Sequence, residues 1–179
     1  MAESFSNSLT RAAGIVTTSS SGSIGVTTSL ITGISTVDVS AGYLIDNPNF
    51  IAGTKVSSIA GVGSVFADRV STNTVATSSQ TVSFLGLTSA YTNGTDKAIL
   101  IGGTFANNTS SSVNLTVELH DSSTNTAVGI AQKIPVPAGS SFVIADTGKT
   151  LLEANDSLRV YCDSANAIDV SLSVLTGVS

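Results

Sequence analysis

The strongest constraint in this chain is a period of two in its C-terminal half. From about residue 81 onward, apolar and polar residues alternate in short runs separated by Gly, Pro, Asn, Asp and Ser. Successive side chains of a strand point to opposite faces, so the alternation predicts strands with one buried and one solvated face. The predicted buried residues form three runs: Val113, Leu115, Val117 and Leu119; Leu158, Val160 and Cys162; and Ile168, Val170, Leu172 and Val174.

This half of the chain has room for about eight strands and shows no helical period. Many short antiparallel strands at close spacing indicate a β-sandwich, either jelly-roll or Ig-like, over residues 79–179. Pro135 and Pro137 cannot donate to a central ladder, so their segment is predicted to be an edge or a loop. The predicted strands are 81–89, 97–105, 113–119, 125–133, 140–145, 149–153, 157–163 and 166–175, and Asp146-Thr147-Gly148 is one of the turns predicted between them.

The N-terminal residues 1–23 are poor in large apolar groups and end in the low-complexity stretch TTSSSGS. They predict an extended arm. Two interpretations stay open: a strand that is added to a neighbour's sheet edge, or a disordered tail. In the first case the interface residues of the arm are Phe5, Leu9, Ile15 and Val16.

Residues 24–78 contain very short apolar segments between closely spaced glycines and an Asn-Pro-Asn turn. Such segments are too short for helices and for a full sandwich, so they predict a small, twisted β-module. The polar stretch at 71–80 is predicted to be a linker. The chain as a whole is therefore predicted to be all-β, with an arm, a module and a sandwich.

Composition argues against several classes of partner. The chain has a net charge of −5 and only seven basic residues, with no cluster among them, so binding to nucleic acid is not expected. No run reaches the roughly 18 apolar residues of a membrane span. Glu3 stands where a signal peptide would be basic, so export by that route is not expected. Low charge content, 11%, with a mean hydropathy of +0.37, favours a subunit of a symmetric homo-oligomer.

Candidate catalytic residues are few. His120 is followed by Asp121, Ser122 and Ser123, but a catalytic triad needs groups that converge from separate places, so a solvated histidine in a turn is predicted instead. Glu118 and Asp121 are the best pair for a glycosidase, yet the chain lacks Trp and an aromatic-rich groove. The segment GVGSVF at 61–66 has Phe66 at the third glycine position of a dinucleotide fingerprint, which excludes that motif. The chain is therefore predicted not to be an enzyme.

Metal and thiol chemistry are also weakly supported. Asp156, Asp163 and Asp169 could meet at one end of a sandwich and hold Ca²⁺, but no loop has the alternating ligand pattern. One His and one Cys are too few for a zinc site. Cys162 lies on the inward phase of its strand and is predicted to be a small core residue. No metal and no cofactor are expected.

Two segments carry a family resemblance. Residues 31–65 resemble a short β-module of tail and other virion proteins of tailed bacteriophages. The matching residues are Gly42, Leu44, Ile45, Ala52, Gly53, Thr54, Val56 and Ile59. The C-terminal half, through residues 97–119, 133–144 and 151–175, is similar to a virion structural domain found notably in phages of cyanobacteria.

The resemblance implies a non-enzymatic structural component of a tailed-phage virion, either associated with the neck or tail or decorating the capsid. Its partners would be other virion proteins and copies of itself, a trimer being one option, and its location would be the virion. Two alternatives remain: a host-surface glycan or receptor-binding module of a tail fibre or spike, and an enzyme that acts on glycans.

Overall fold

The computed structural model describes residues 3–144 and 150–178, and the chain folds as two compact units. One unit combines residues 1–14 with residues 88–179, and the other comprises residues 15–87. The predicted turn at 146–148 and the adjoining ends of two predicted strands lie outside the described residues. The described part of the chain is all-β, as predicted, and contains no helix.

The described residues form fifteen strands, and all the pairings between them are antiparallel. In chain order they are β1 (Ser4–Ala13), β2 (Ile15–Ile24), β3 (Leu30–Thr32), β4 (Leu44–Asp46), β5 (Val56–Gly61), β6 (Ser64–Ala67), β7 (Thr77–Gly86), β8 (Thr88–Thr92), β9 (Lys97–Asn107), β10 (Val113–Asp121), β11 (Thr126–Val136), β12 (Ser141–Ile144), β13 (Thr150–Leu152), β14 (Ser157–Cys162) and β15 (Ile168–Val178).

The first unit is a sandwich with jelly-roll strand order. One sheet runs β1-β15-β9-β12, with β13 pairing farther along β9, and the other runs β11-β10-β14-β8. Because β12 and β13 share one side of β9, each sheet has four strand positions. The chain changes sheets at most connections, as it does in two nested Greek keys, and an Ig-like order would not do this. The strand order therefore decides between the two predicted sandwich types.

The core of the sandwich consists of the residues that the alternation predicted. All members of the three runs are buried except Leu119, which is half-buried against the same core. Phe105 of β9 and Ala13 at the end of β1 complete it. Pro135 lies in β11, which is an edge strand, as the missing N–H requires.

Two buried asparagines secure the ends of β9. Asn107 Nδ2 donates to the carbonyls of Ser111, Val136 and Pro137 at 2.7, 2.9 and 3.2 Å, and its Oδ1 accepts from Thr109 N at 2.9 Å. At the other end, Asn93 Nδ2 donates to the carbonyls of Asp96, Leu152 and Glu153. Each amide replaces the ladder bonds that a strand loses where its neighbours diverge.

The second unit is a closed barrel. Its sheet runs β4-β7-β2-β3-β6-β5, and backbone bonds then join the segment around β4 to the start of β5. These bonds run from Gly42 N to Val56 O, from Val56 N to Tyr43 O, and from Ile45 N to Thr54 O, each at 2.8 Å. Closure leaves no long unpaired edge among the described strands. Ile24, Ile31, Val65, Val82 and Phe84 fill the interior.

The structure corrects the predicted arm at 1–23 and the predicted linker at 71–80. Residues 4–13 form β1, which pairs along β15 of the same chain, and residues 15–24 form β2 in the barrel. Residues 77–80 already belong to β7. These segments form strands through backbone pairing, although their sequences lack a strong alternation of apolar residues. In chain order, the barrel is inserted between the first two strands of the sandwich.

Candidate assembly surface

The outer face of the sheet containing β1, β15 and β9 carries a row of apolar side chains. Phe5 lies opposite Leu175, Leu175 opposite Ile99, and Ile99 opposite Leu151. Residues paired directly across antiparallel strands share one face of the sheet, so the four side chains line up across four strands. Phe5 is 76% exposed and Leu151 is 47% exposed. We call these four residues the apolar row.

Strand β1 has its polarity reversed relative to its own sandwich. Ser8 and Thr10 project toward the opposite sheet, where their hydroxyls donate to the carbonyl of Ala90 at 3.0 and 3.3 Å. Phe5 and Leu9, the large apolar residues of β1, point outward, and Leu9 is 73% exposed. Burying these two side chains would require another surface, since the core of this chain is on the other side of the strand.

A second set of cross-strand partners lies farther along the same face. Leu9 lies opposite Ser171, Ser171 opposite Thr104, and Thr104 opposite the exposed Val143. The small side chains in this region leave a depression of about 260 Å³ beside Leu9. Arg11 and Asp169 line the same depression and carry opposite charges. The net charge of these two side chains is therefore zero.

The structure separates the four residues predicted for the interface. Phe5 and Leu9 lie on the outer face described above, whereas Ile15 and Val16 belong to β2 of the barrel, where they pair with Gly86 and Leu85. The sequence did not identify Leu175, Ile99 and Leu151 as members of the face. One signal was available, because Leu175 occupies the phase of β15 that is otherwise polar.

His120 and Glu118 do not occupy the solvated positions predicted for them. His120 is buried in β10, and its Nε2 lies 3.1 Å from Asn125 Oδ1. Glu118 is also buried, next to Tyr161 of β14. The pKa of Tyr161 is raised by burial, then by the charge of Glu118 and a hydrogen bond to it, while Arg159 acts in the opposite direction. The middle of the outer face of β10 and β14 is thus polar and buried, which corrects the prediction of a solvated face there, whereas Asn114 at one end of the same face is exposed.

The proposed glycosidase pair is not brought together. Glu118 and Asp121 are three positions apart on one strand, so they project from opposite faces. Asp121 instead closes the turn after β10. Its carboxylate accepts from Ser123 Oγ at 2.7 Å and Thr124 Oγ1 at 2.9 Å, as well as from the two backbone amides. These bonds lower its pKa to about 2.

The three aspartates proposed for Ca²⁺ also have separate structural roles. Asp156 precedes β14 and accepts from the amides of Ser122 and Glu153. Asp163 follows the same strand and accepts from Asn114 N and Nδ2, at 2.8 and 2.7 Å. Asp169 accepts from Ala12 N. Among the described residues no three acidic, His or Cys side chains form a metal-binding group.

Cys162 is buried in the core, as predicted, and it is a free thiol. Burial raises its pKa above the ordinary value, so the thiolate that reacts as a nucleophile is disfavoured. The residue therefore acts as a small apolar side chain between the two sheets.

In comparisons with family models, curated proteins and solved structures, nothing matched this chain. The part of the chain that the structure describes has no helix that could cross a membrane.

Proposed function

We propose that this chain is a non-enzymatic structural subunit of a tailed-phage virion that acts by assembling with copies of itself and with other virion proteins. The apolar row, together with Leu9, is the observation that carries this proposal. The particle and the type of phage rest on the sequence resemblance alone, and the place in the particle would be the neck, the tail or the capsid surface.

The occupant of the outer face in this proposal is a second copy of the chain. The central residues of the face, Asn7 and Ser173, already bond to each other at 3.2 Å, which leaves the Asn7 Nδ2 donors for an acceptor on the second copy. The face ends in one cation, Arg11, and one anion, Asp169. A two-fold axis that runs along the strands between β1 and β15 would place each charge near its opposite on the other copy, so that the face does not repel itself.

The mechanism is the summed effect of many weak contacts repeated by symmetry. Burial of apolar surface contributes about 25 cal/mol per Å², so one row of four side chains gives only modest affinity on its own. Within a particle the same contact recurs in every copy, and the neighbouring contacts fix its geometry. A subunit can thus be monomeric when dilute and firmly held when assembled.

The test is the double variant Phe5→Ser with Leu9→Ser, measured by sedimentation equilibrium over a range of protein concentrations. We expect the unmodified chain to reach the mass of two copies at high concentration, and the variant to need at least about tenfold more protein. Both residues are highly exposed, so the free energy of unfolding should change by less than about 0.5 kcal/mol.

A matched control is Val62→Ser, which removes a fully exposed apolar residue from a turn of the barrel. Association of this variant should equal that of the unmodified chain. An unmodified chain that stays monomeric at every concentration would contradict self-association through this face. The location in a virion is tested separately, by finding the chain and its copy number in an electron-microscopy map of the particle.

A further inference from the structure

The outer surface of the barrel has a groove that the assembly surface does not involve. Its volume is about 490 Å³, and all its lining residues belong to the barrel. Ser23 of β2 and Leu30 and Thr32 of β3 alternate with Ile24 and Ile31, which are buried in the barrel interior. The side chains of Ser23, Leu30 and Thr32 therefore point outward into the groove.

The polar lining of the groove consists of hydroxyl groups. They come from Ser23, Thr28, Thr32, Thr77 and Ser78, and no charged residue lines the groove among the described residues. Thr28 and Thr77 already use their oxygens to accept from Leu30 N and Asn49 Nδ2. The hydroxyls of Ser23, Thr32 and Ser78 have no partner within the described chain. Each of these three hydroxyl groups can donate one hydrogen bond and accept others.

One wall of the groove is apolar and leads to an aromatic ring. Leu30 lines the groove, and Phe66 of β6 lies directly opposite Leu30 in the ladder and is 41% exposed. Since paired residues share a face, the ring lies beside the groove on the same outer surface. A flat ring of this kind can stack against the C–H face of a sugar.

The walls of the groove are fixed before any ligand arrives. Asn73 Nδ2 donates to Val75 O at 2.6 Å and to Ile24 O at 3.4 Å, which holds the segment before β7 against β2. Ser71 Oγ donates to Gly25 O at 2.9 Å at the end of the groove. A preformed site avoids the ordering cost that weakens binding to mobile loops.

We propose that this groove binds a neutral saccharide chain, whose hydroxyls pair with Ser23, Thr32 and Ser78 while one ring packs on Leu30 and Phe66. A phosphorylated or acidic ligand would meet no cation among the described lining residues, and a purely apolar ligand would leave the hydroxyls unpaired. The inference does not depend on self-association of the sandwich, and the two can fail independently.

The experiment titrates the full chain with three neutral probes, maltohexaose, cellohexaose and mannohexaose, and follows amide shifts by NMR. We expect saturable binding of at least one probe, with shifts concentrated in β2, β3 and the start of β7. Thr32→Val keeps the β-branched shape and removes one hydroxyl, so affinity should fall about fivefold. Ser23→Gln fills the groove and should abolish binding.

Thr95→Val is the matched control, since it removes an exposed hydroxyl from a loop of the sandwich that lies outside the assembly surface, and it should leave affinity unchanged. Absence of binding by all three probes at about 10 mM, a concentration that would occupy even a site of millimolar affinity, would overturn the proposal. Equal binding by Ser23→Gln, or shifts confined to the sandwich, would also overturn it. If Ser23→Gln does not fold, the Thr32→Val and Thr95→Val affinities decide the result.

Discussion

The barrel and the sandwich differ in how they treat the unpaired backbone groups at the edges of their sheets. Both are antiparallel sheets with few aromatic residues, and each has its own buried core. The barrel joins β4 and β5, the strands at the two ends of its sheet, so its backbone groups are paired around the ring. The sandwich keeps edge strands, and one of them, β1, directs its large apolar side chains away from the core.

This difference indicates which unit is suited to association. Of the exposed apolar residues of the barrel, Val37, Val62 and Val75 lie outside its strands, and Phe66 of β6 aligns across strands with one apolar residue, Leu30, rather than with a longer row. Isolated apolar residues are normal on protein surfaces, whereas an aligned group is more often a contact surface. The proposed assembly contact therefore lies on the sandwich, and the proposed ligand groove lies on the barrel.

The largest expected effect tests whether the two cores are energetically separate. Phe84→Ala in the barrel and Phe105→Ala in the sandwich each remove a fully buried ring, and each should cost about 3–5 kcal/mol of unfolding free energy. Native-state hydrogen exchange should show each loss of protection mainly in the unit that carries the substitution. Equal loss in both units after either change would mean that they unfold as one.

The next effect compares two buried asparagines. Asn107 makes five hydrogen bonds that include three carbonyls, whereas Asn47 donates to Thr81 O and accepts from Asn49 N. We expect Asn107→Ala to cost about 3 kcal/mol and Asn47→Ala about 1–2 kcal/mol, because more buried groups lose their partners in the sandwich. Urea unfolding measures both, and a larger loss for Asn47→Ala would contradict this ranking.

A smaller effect compares the stability cost of adding a Cβ atom at two tightly packed glycines, one in each unit. A Cβ at Gly86 of the barrel would lie 2.7 Å from Ile15 Cβ, next to the backbone, whereas one at Gly103 of the sandwich would meet the terminal Cδ2 of Leu172. Gly86→Ala should therefore cost about 2 kcal/mol, and Gly103→Ala about 1 kcal/mol, since the terminal methyl of the buried Leu172 can shift more easily than an atom next to the backbone. Thermal unfolding of the two variants checks this, and equal losses would contradict it.

The smallest effect concerns pH. The folded pKa of Asp121 is about 2, below the ordinary value near 3.9 for an unfolded chain. Its contribution to the turn is therefore complete above about pH 4 and is lost as the pH falls toward about 2. The protection factors of the Ser123 and Thr124 amides, which compare their exchange rates with the intrinsic rates at the same pH, should fall over that range, and Asp121→Asn should remove this change. Unchanged protection of these two amides across the same range would contradict the role of this carboxylate.

Much of the sandwich could be predicted from local pattern. The alternation in β10, β14 and β15 identified the buried residues, because one residue per two positions must face the core whatever the partner strand is. Pro135 marked an edge strand because it lacks an N–H. His120 was misjudged because its neighbours resemble a turn, while the strand continues through Asp121 and buries it.

The apolar row and the groove could not be predicted from the local sequence pattern. Phe5 meets Leu175 only because strands from the two ends of the chain pair in one register, and neither segment encodes that register alone. The groove likewise depends on where Ser23 and Thr32 are placed by the pairing of β2 with β3. Side-chain hydroxyls spread over a sequence have no recognisable signature until a sheet brings them together.

The sequence by itself determined that the chain is all-β, which residues of the later strands are buried and where an edge must fall, since these follow from side-chain alternation and backbone donors. Only the tertiary structure decided that the N-terminal segment is divided between two units, that the barrel closes, and that Phe5, Leu175, Ile99 and Leu151 share one exposed face. The physical reason is that strand pairing acts between segments far apart in the chain, and its register depends on the whole sheet.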